Sequence, residues 1–217
     1  FPYTTLFRSK WTIIKDKATS VPGDSHWSST VPYSVSTDSH KSGRVTRKVY
    51  IPYDQRPEPY DASHNPLNYR ILRYADVLLM YAEVENVLKD DGQARWALNK
   101  VRERVDLDPV ESSGTELRDA IRQERRLELA LENQRLFDIR RWKNDSGKSV
   151  MSDIMGPNGS FVIYNTKEST DTYELGNQKE SSSKGRDFKE ERDLVYPIPT
   201  TEISQSNGSI VQNPGYN

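Results

Sequence analysis

The sequence predicts a mainly α-helical fold, with helix pairs carrying long irregular loops and an extended C-terminal tail. Three observations lead there. Residues 67–143 are densely charged, with apolar side chains at helical spacing. The stretch before them is broken by Pro22, Pro32, Pro52, Pro57, Pro59 and Pro66 among many serines and threonines. After residue 193 the apolar anchors are spaced by prolines. Composition agrees: the hydrophobic share of 34% includes 12 tyrosines, against about 45–50% apolar residues in average globular domains. The core is therefore concentrated in part of the chain.

Residues 1–9, Phe-Pro-Tyr-Thr-Thr-Leu-Phe-Arg-Ser, resemble translated sequencing-adaptor read-through. We expect them to carry no fold information, with native sequence from residue 10 to 217, beginning inside a longer gene. Within it we expect a loop-rich, ligand-side segment over 10–66, a helical core over 67–143, and an irregular segment and tail over 144–217. Only Phe161-Val-Ile-Tyr164 reads as a short strand there.

The helical core reads as three helices. The first runs from about Tyr69 to Lys89, with Ile71, Ala75, Leu78, Leu79 and Ala82 on one stripe and Val77, Tyr81, Val84 and Leu88 on a second. So wide an apolar arc predicts packing on two sides. Asp90-Asp91-Gly92 should stop it, the glycine in a left-handed cap. The second helix, Gln93–Val105, places Ala94, Ala97, Leu98, Val101 and Val105 on one face. The short connection makes an antiparallel hairpin resembling one tetratricopeptide-type unit, which needs partner helices. Hydroxyl caps at Ser113 and Thr115 open the third helix.

From Arg118 to Trp142 this last segment carries seven arginines against five acids. Arg125, Glu128, Glu132, Arg135, Asp138 and Arg141 fall at three- or four-residue steps. They form either a solvated face of weak pairs or a structural clamp on loops packed over the helix, where arginine's fork geometry matters. We expect Arg125 or Arg135 to satisfy carbonyls of the Tyr196-Pro-Ile-Pro199 tail. Trp96 and Trp142 read as core or capping residues.

Several chemistries find no support. The formal charge of −1, from 31 basic and 32 acidic residues, does not favour nucleic acid as a partner. The chain has no cysteine, which excludes disulfides, thiolate metal sites and a cysteine nucleophile. Glu124, Glu128 and Glu132 share a helix face, but each has an arginine within a turn that favours the ionised form over a proton donor. His26, His40 and His64 are widely spaced in the loop region and read as ordinary loop histidines. No phosphate-binding glycine loop or nucleophile elbow is present. We expect no enzyme activity, no cofactor and no metal.

Ligand binding is easier to motivate. Sugars are held by exposed aromatic rings beside polar groups, and a ring covering roughly 100 Å² of apolar sugar surface contributes about 2.5 kcal/mol before ordering costs. The loop region holds Trp11, Trp27, Tyr33, Tyr50, Tyr53 and Tyr60. Trp27 lies in a stretch with no apolar period, which makes it the first ligand-facing candidate, with Tyr33 second.

Longer motifs then line up in order. Ile71-Leu-Arg-Tyr-Ala-Asp-Val-Leu-Leu-Met-Tyr-Ala-Glu83, Ala97-Leu-Asn-Lys-Val-Arg-Glu-Arg104, Leu117-Arg-Asp-Ala-Ile-Arg-Gln-Glu-Arg-Arg-Leu-Glu-Leu129, Arg135-Leu-Phe-Asp-Ile-Arg-Arg-Trp142, Tyr196-Pro-Ile-Pro199 and Gln212-Asn-Pro-Gly-Tyr216 together resemble the SusD/RagB family, in its C-terminal half or less. The resemblance implies a tetratricopeptide-like helical fold and a non-catalytic lipoprotein on the outer-membrane surface. It implies capture of an oligosaccharide or polysaccharide, such as starch, for nutrient uptake with a TonB-dependent, SusC-like transporter. The shared motifs are mostly scaffold, so no binding residue follows from them. The competing expectation is a helical-repeat protein-interaction module without a small ligand.

Overall fold

The computed structural model describes residues 12–15, 17–34, 44–61, 66–157, 159–164, 173–177 and 187–216. Residues 1–9, Trp11, His40 and His64 lie outside them. The chain forms two compact units, Phe1–Arg135 and Leu136–Asn217. The fold is mainly helical, with two small antiparallel strand pairs.

In the first unit, strands β1 (Ile13–Lys15) and β2 (Arg44–Thr46) pair antiparallel, Ile14 opposite Val45. Three helices follow: α1 (Tyr74–Leu88), α2 (Asp91–Glu103) and α3 (Gly114–Glu128). Their core is Leu78, Leu79 and Ala82 of α1, Ala94, Ala97, Leu98 and Val101 of α2, and Leu117 and Ile121 of α3, joined by Leu129. The three alanines are wholly buried, so the helices approach closely there. The expected hairpin is present, built on the first of the two predicted stripes.

The second stripe faces outward: Val84 is 54% and Leu88 67% exposed. Helix α1 also starts five residues later than its periodicity indicates, leaving Ile71 exposed. The reason is long-range. Arg73 stays extended at the N-cap so that its guanidinium can reach Glu128 and Glu132.

The turns between helices differ from expectation in a consistent way. Lys89, not Gly92, takes the left-handed position (φ 68°). Gly92 lies inside α2, whose first turn is capped by the Asp90 carboxylate accepting from the Gln93 amide at 3.0 Å. Ser113 makes no side-chain cap. Instead Asp91 accepts the Gly114 amide at 2.8 Å, and Asn86 donates to the Gly114 carbonyl at 3.0 Å. Acidic and amide side chains from the preceding hairpin thus replace the local hydroxyl.

The predicted third helix is two. Helix α3 ends at Glu128 and α4 covers Arg135–Arg141. Between them Leu131 and Asn133 hold positive φ of 65° and 63°. No glycine or proline marks this break, which hides it from sequence.

In the second unit, Ser149 organises the turn after α4. It is fully buried, donates to the Ile139 carbonyl at 2.9 Å and caps α5 (Val150–Met155) by accepting from the Met151 amide. Trp142 is buried as expected. Trp96 in the first unit is 49% exposed, its ring edge-on to Tyr81. The predicted strand is β3 (Ser160–Tyr164), paired antiparallel with β4 (Tyr173–Asn177). Two short helices, α6 (Glu190–Asp193) and α7 (Thr200–Gln205), frame the tail.

Proline-spaced backbone offers few amide donors with which to bond to itself. In this tail the Gln212 amide clasps Ile198 on both sides, accepting its N–H at 2.8 Å and donating to its carbonyl at 2.9 Å. Asn213 donates to the Tyr196 carbonyl and Tyr216 to that of Val195. Side chains stand in for the strand partner that proline-spaced backbone cannot recruit.

The charged partners of α3 are its least replaceable feature. Arg125 donates to Asp76 at 2.9 Å with both side chains almost fully buried. Losing one member leaves an uncompensated buried charge, which costs about 3–5 kcal/mol. Asp76→Ala should lower the free energy of unfolding measured in urea by that amount, and Asp76→Ala with Arg125→Met should recover most of it.

Candidate functional site

The loops of the first unit hold an aromatic cluster built on one carboxylate. A tight turn at Val21–Asp24, with Gly23 at φ 77°, buries Asp24 to 7% exposure. Its Oδ1 accepts the His26 amide at 2.9 Å. Its Oδ2 accepts the Tyr53 amide at 2.9 Å, the Trp27 indole N–H at 3.1 Å and the Tyr50 hydroxyl. Burial opposes ionisation, but the hydrogen bonds from Tyr50, His26, Tyr53 and Trp27 outweigh it and hold the Asp24 carboxyl below its ordinary value. The same burial, reinforced by donation to Asp24, pushes the Tyr50 hydroxyl up to about 12.

This hub brings two loops together. The Arg47 guanidinium donates to the Pro22 carbonyl and the Arg47 amide to the Thr12 carbonyl at 2.8 Å, tying the 44–50 segment beneath the 21–34 loop. Tyr33 is pinned by paired backbone bonds with Lys17 and Ala18. The rings then meet edge to face: Trp27 and Tyr33 are 4.8 Å apart at 68°, and Tyr33 and Tyr50 6.0 Å apart at 65°. His26 stacks flat on Tyr53 at 3.6 Å and 9°. Such aromatic contacts contribute about 0.5–1.5 kcal/mol beyond area burial.

Arg56 sits among these rings. Its guanidinium carbon lies 5.0 Å from the Tyr53 ring centre, 4.9 Å from that of Tyr60 and 5.6 Å from that of Tyr50. Its Nε donates to the Ile51 carbonyl at 3.3 Å.

Of the two aromatics singled out from sequence, both fall in this cluster and both are half-buried. The Trp27 indole N–H is already spent on Asp24 and on Tyr50 Oη at 2.6 Å. The rings that open to solvent are Tyr53, 48% exposed, and Tyr60, 40% exposed, beside exposed His26. Asp24 and Arg56 escaped sequence reasoning because one acid and one arginine in a polar loop carry no local signature.

The residues singled out as a clamp are placed as follows. Glu128 accepts from Arg73 Nη1 and Arg104 Nη2, each at 2.6 Å. Glu132 accepts from Arg73 Nε at 2.6 Å and from Lys48. Lys48 and Arg73 also donate to the Glu128 carbonyl at the C-terminus of α3, where cations are favoured by the helix dipole. Burial opposes the charge of Glu132, but the bonds from Arg73 and Lys48 prevail and hold its carboxyl below the usual range. Asp138 is buried and accepts from Arg141 at 2.9 Å, and Arg135 opens α4. In the second unit Arg140 serves a tail carbonyl, donating to Leu194 and lying 5.2 Å from the Tyr196 ring centre. Arg125 is engaged with Asp76.

A cavity of about 390 Å³ adjoins this ion network, lined among others by Lys48, Tyr69, Arg70, Arg104 and Leu131. Among the described residues no group of three or more His, Cys, Asp or Glu side chains is placed to hold a metal ion. No described helix is long and apolar enough to cross a membrane.

The SusD family model matches residues 3–216. The chain is 31% identical over 159 residues to SusD-like protein P2 of Formosa agariphila, a match covering 69% of this chain and 26% of that protein. A SusD-like protein of Bacteroides ovatus is 37% identical over 94 residues, covering 42% of this chain and 17% of its own length. This chain therefore spans about a quarter or less of these relatives. Among solved structures, a SusD-like protein from Bacteroides fragilis superposes with a TM-score of 0.68 at 27% identity, covering 96% of this chain and 38% of that one. Surface glycan-binding protein A from Bacteroides uniformis shares the fold with a TM-score of 0.54 at 23% identity, over 95% of this chain and 37% of its own.

The hub makes the cluster acid-sensitive. Because the folded Asp24 carboxyl lies below its ordinary value of 3.8, its contribution to stability is complete above that value and is lost as pH falls through the lowered one. Trp27 emission should shift red below about pH 3.8, and Asp24→Asn should remove that step.

Proposed function

We propose a function from one premise: this chain belongs to the SusD family. On that premise it contributes to glycan binding, as part of a non-catalytic protein of an outer-membrane nutrient-uptake complex. The wider protein is a surface-exposed lipoprotein that takes up oligosaccharide or polysaccharide with a TonB-dependent, SusC-like transporter. One protein sharing this fold is named a surface glycan-binding protein, although at 23% identity the likeness speaks for the fold.

The observation that carries the proposal is the aromatic cluster. Asp24 and Trp27 hold its base rigid through hydrogen bonds, while Tyr53 and Tyr60 turn ring surface to solvent. Rings fixed before a ligand arrives avoid the ordering cost that flexible side chains would impose. A polar edge nearby, the exposed His26 ring, suits the hydroxyls that surround a sugar's apolar face. Trp27 and Tyr33, the candidates from sequence, act on this reading as the supporting layer and optical reporter.

The competing reading, a protein-interaction module, draws on the exposed apolar side of α1, where Tyr74, Val84, Val87 and Leu88 are each more than half exposed. The two readings separate by mutation. Tyr53→Ala and Tyr60→Ala should each weaken binding of soluble oligosaccharide at least tenfold by calorimetry, while Val84→Lys and Val87→Lys leave it unchanged. Loss of partner capture in the α1 variants, with no oligosaccharide bound by the parent chain, would favour the interaction module instead.

A further inference from the structure

We infer that Arg56 makes the aromatic cluster selective for acidic saccharides, its guanidinium receiving a carboxylate or sulfate oxyanion while Tyr53 and Tyr60 cover the sugar ring. This deepens the glycan-binding reading and rests on it.

Three observations carry the inference. First, Arg56 is held in place by its surroundings. Three tyrosine rings lie within 5.6 Å of its guanidinium carbon, and Nε is fixed on the Ile51 carbonyl. Second, the fork is open. Among the described residues, neither Nη group of Arg56 donates a hydrogen bond, and no carboxylate pairs with it. Third, Asp24 does not compete for the fork: it is buried under donors from His26, Trp27, Tyr50 and Tyr53. Asp54, Glu58 and Asp61 lie close in sequence and are exposed, so any attraction for an anion comes from the Arg56 fork itself and not from the surface around it.

The charged cavity beside α3 is a contrasting case. There Lys48, Arg73 and Arg104 are each answered by Glu128 or Glu132, so its cations are engaged in holding the fold. Among the described residues of this unit, Arg56 is oriented by aromatic contact and keeps two parallel donors. A planar fork meets a carboxylate or sulfate with two hydrogen bonds at once, geometry that an ammonium does not reproduce. Charge-assisted bonds of this kind are about twice as strong as neutral ones. Partial burial among rings reduces the screening an exposed arginine would suffer.

The test uses the full chain and titrates it with oligogalacturonate and oligoglucuronate beside their carboxyl-reduced neutral forms, and with a sulfated galactan oligosaccharide beside its desulfated form. Binding is followed by calorimetry and by tryptophan emission, the Trp27 part being identified by its loss in Trp27→Phe. The expected result is a preference of about ten- to a hundredfold for an acidic form, weakening as salt rises from 50 to 500 mM. Whether the uronate or the sulfate arm shows it identifies the anion. Arg56→Gln should abolish the preference while retaining binding of the neutral form, and Arg56→Lys should lose most of it because the charge survives without the fork. Unchanged thermal melts and Trp27 emission in both variants establish that the cluster is intact. Equal binding of acidic and neutral forms, or a preference that survives Arg56→Gln, overturns the inference and leaves glycan binding standing. Failure of every saccharide to bind overturns both.

Discussion

The first unit depends on charge buried between α1 and α3. Helix α3 is rich in arginine and glutamate, yet it cannot be a solvated helix, because Glu124, Arg125 and Glu128 are all buried. They are tolerated there because ions of opposite sign reach them from other parts of the chain, Asp76 for Arg125, Arg102 for Glu124, Arg73 and Arg104 for Glu128. Desolvating these groups is costly and their mutual attraction repays it only with good geometry. The geometry is good: Arg73 alone makes four hydrogen bonds to Glu128 and Glu132, between 2.6 and 2.9 Å. Apolar contact sets how close the three helices lie. Ion pairs set their register.

This network also explains where the loops begin. Lys48 reaches across 84 residues to Glu132, and the adjoining Arg47 reaches back to the Pro22 carbonyl. One short segment thus joins the helical scaffold to the aromatic cluster. A rigid helical base then supports loops whose rings are oriented by a single buried carboxylate. The same physical device appears twice: a charge placed out of water and surrounded by donors, once to lock helices and once to aim aromatic side chains.

The stripe Leu78, Leu79, Ala82 was legible because local periodicity and burial coincide. The outward stripe of α1 has the same periodicity, but periodicity reports a helix's apolar arc and not what covers it. Gly92 misled because a glycine after a helix usually marks its end, whereas here the Asp90 carboxylate caps the next helix and Lys89 takes the left-handed turn. The break after Glu128 left no trace, since Leu131 and Asn133 adopt positive φ without a glycine. At the candidate site Trp27 and Tyr33 were visible as unassigned aromatics in a polar loop. Asp24 and Arg56 acquire meaning only from neighbours that sequence separation hides.

What the sequence determined by itself is therefore the class of fold, the helical hairpin, the strand at 161–164 and the ordered motifs that place the chain in its family. Each is encoded in local spacing, where a side chain's neighbours are three or four residues away. Tertiary structure alone decided which charges pair, which tyrosines face water and which carboxylate holds them. Those outcomes turn on contacts such as Arg73 with Glu132 and Asp24 with Tyr50. An ion or a hydroxyl in a linear sequence gives no sign of the partner that will allow it to leave water.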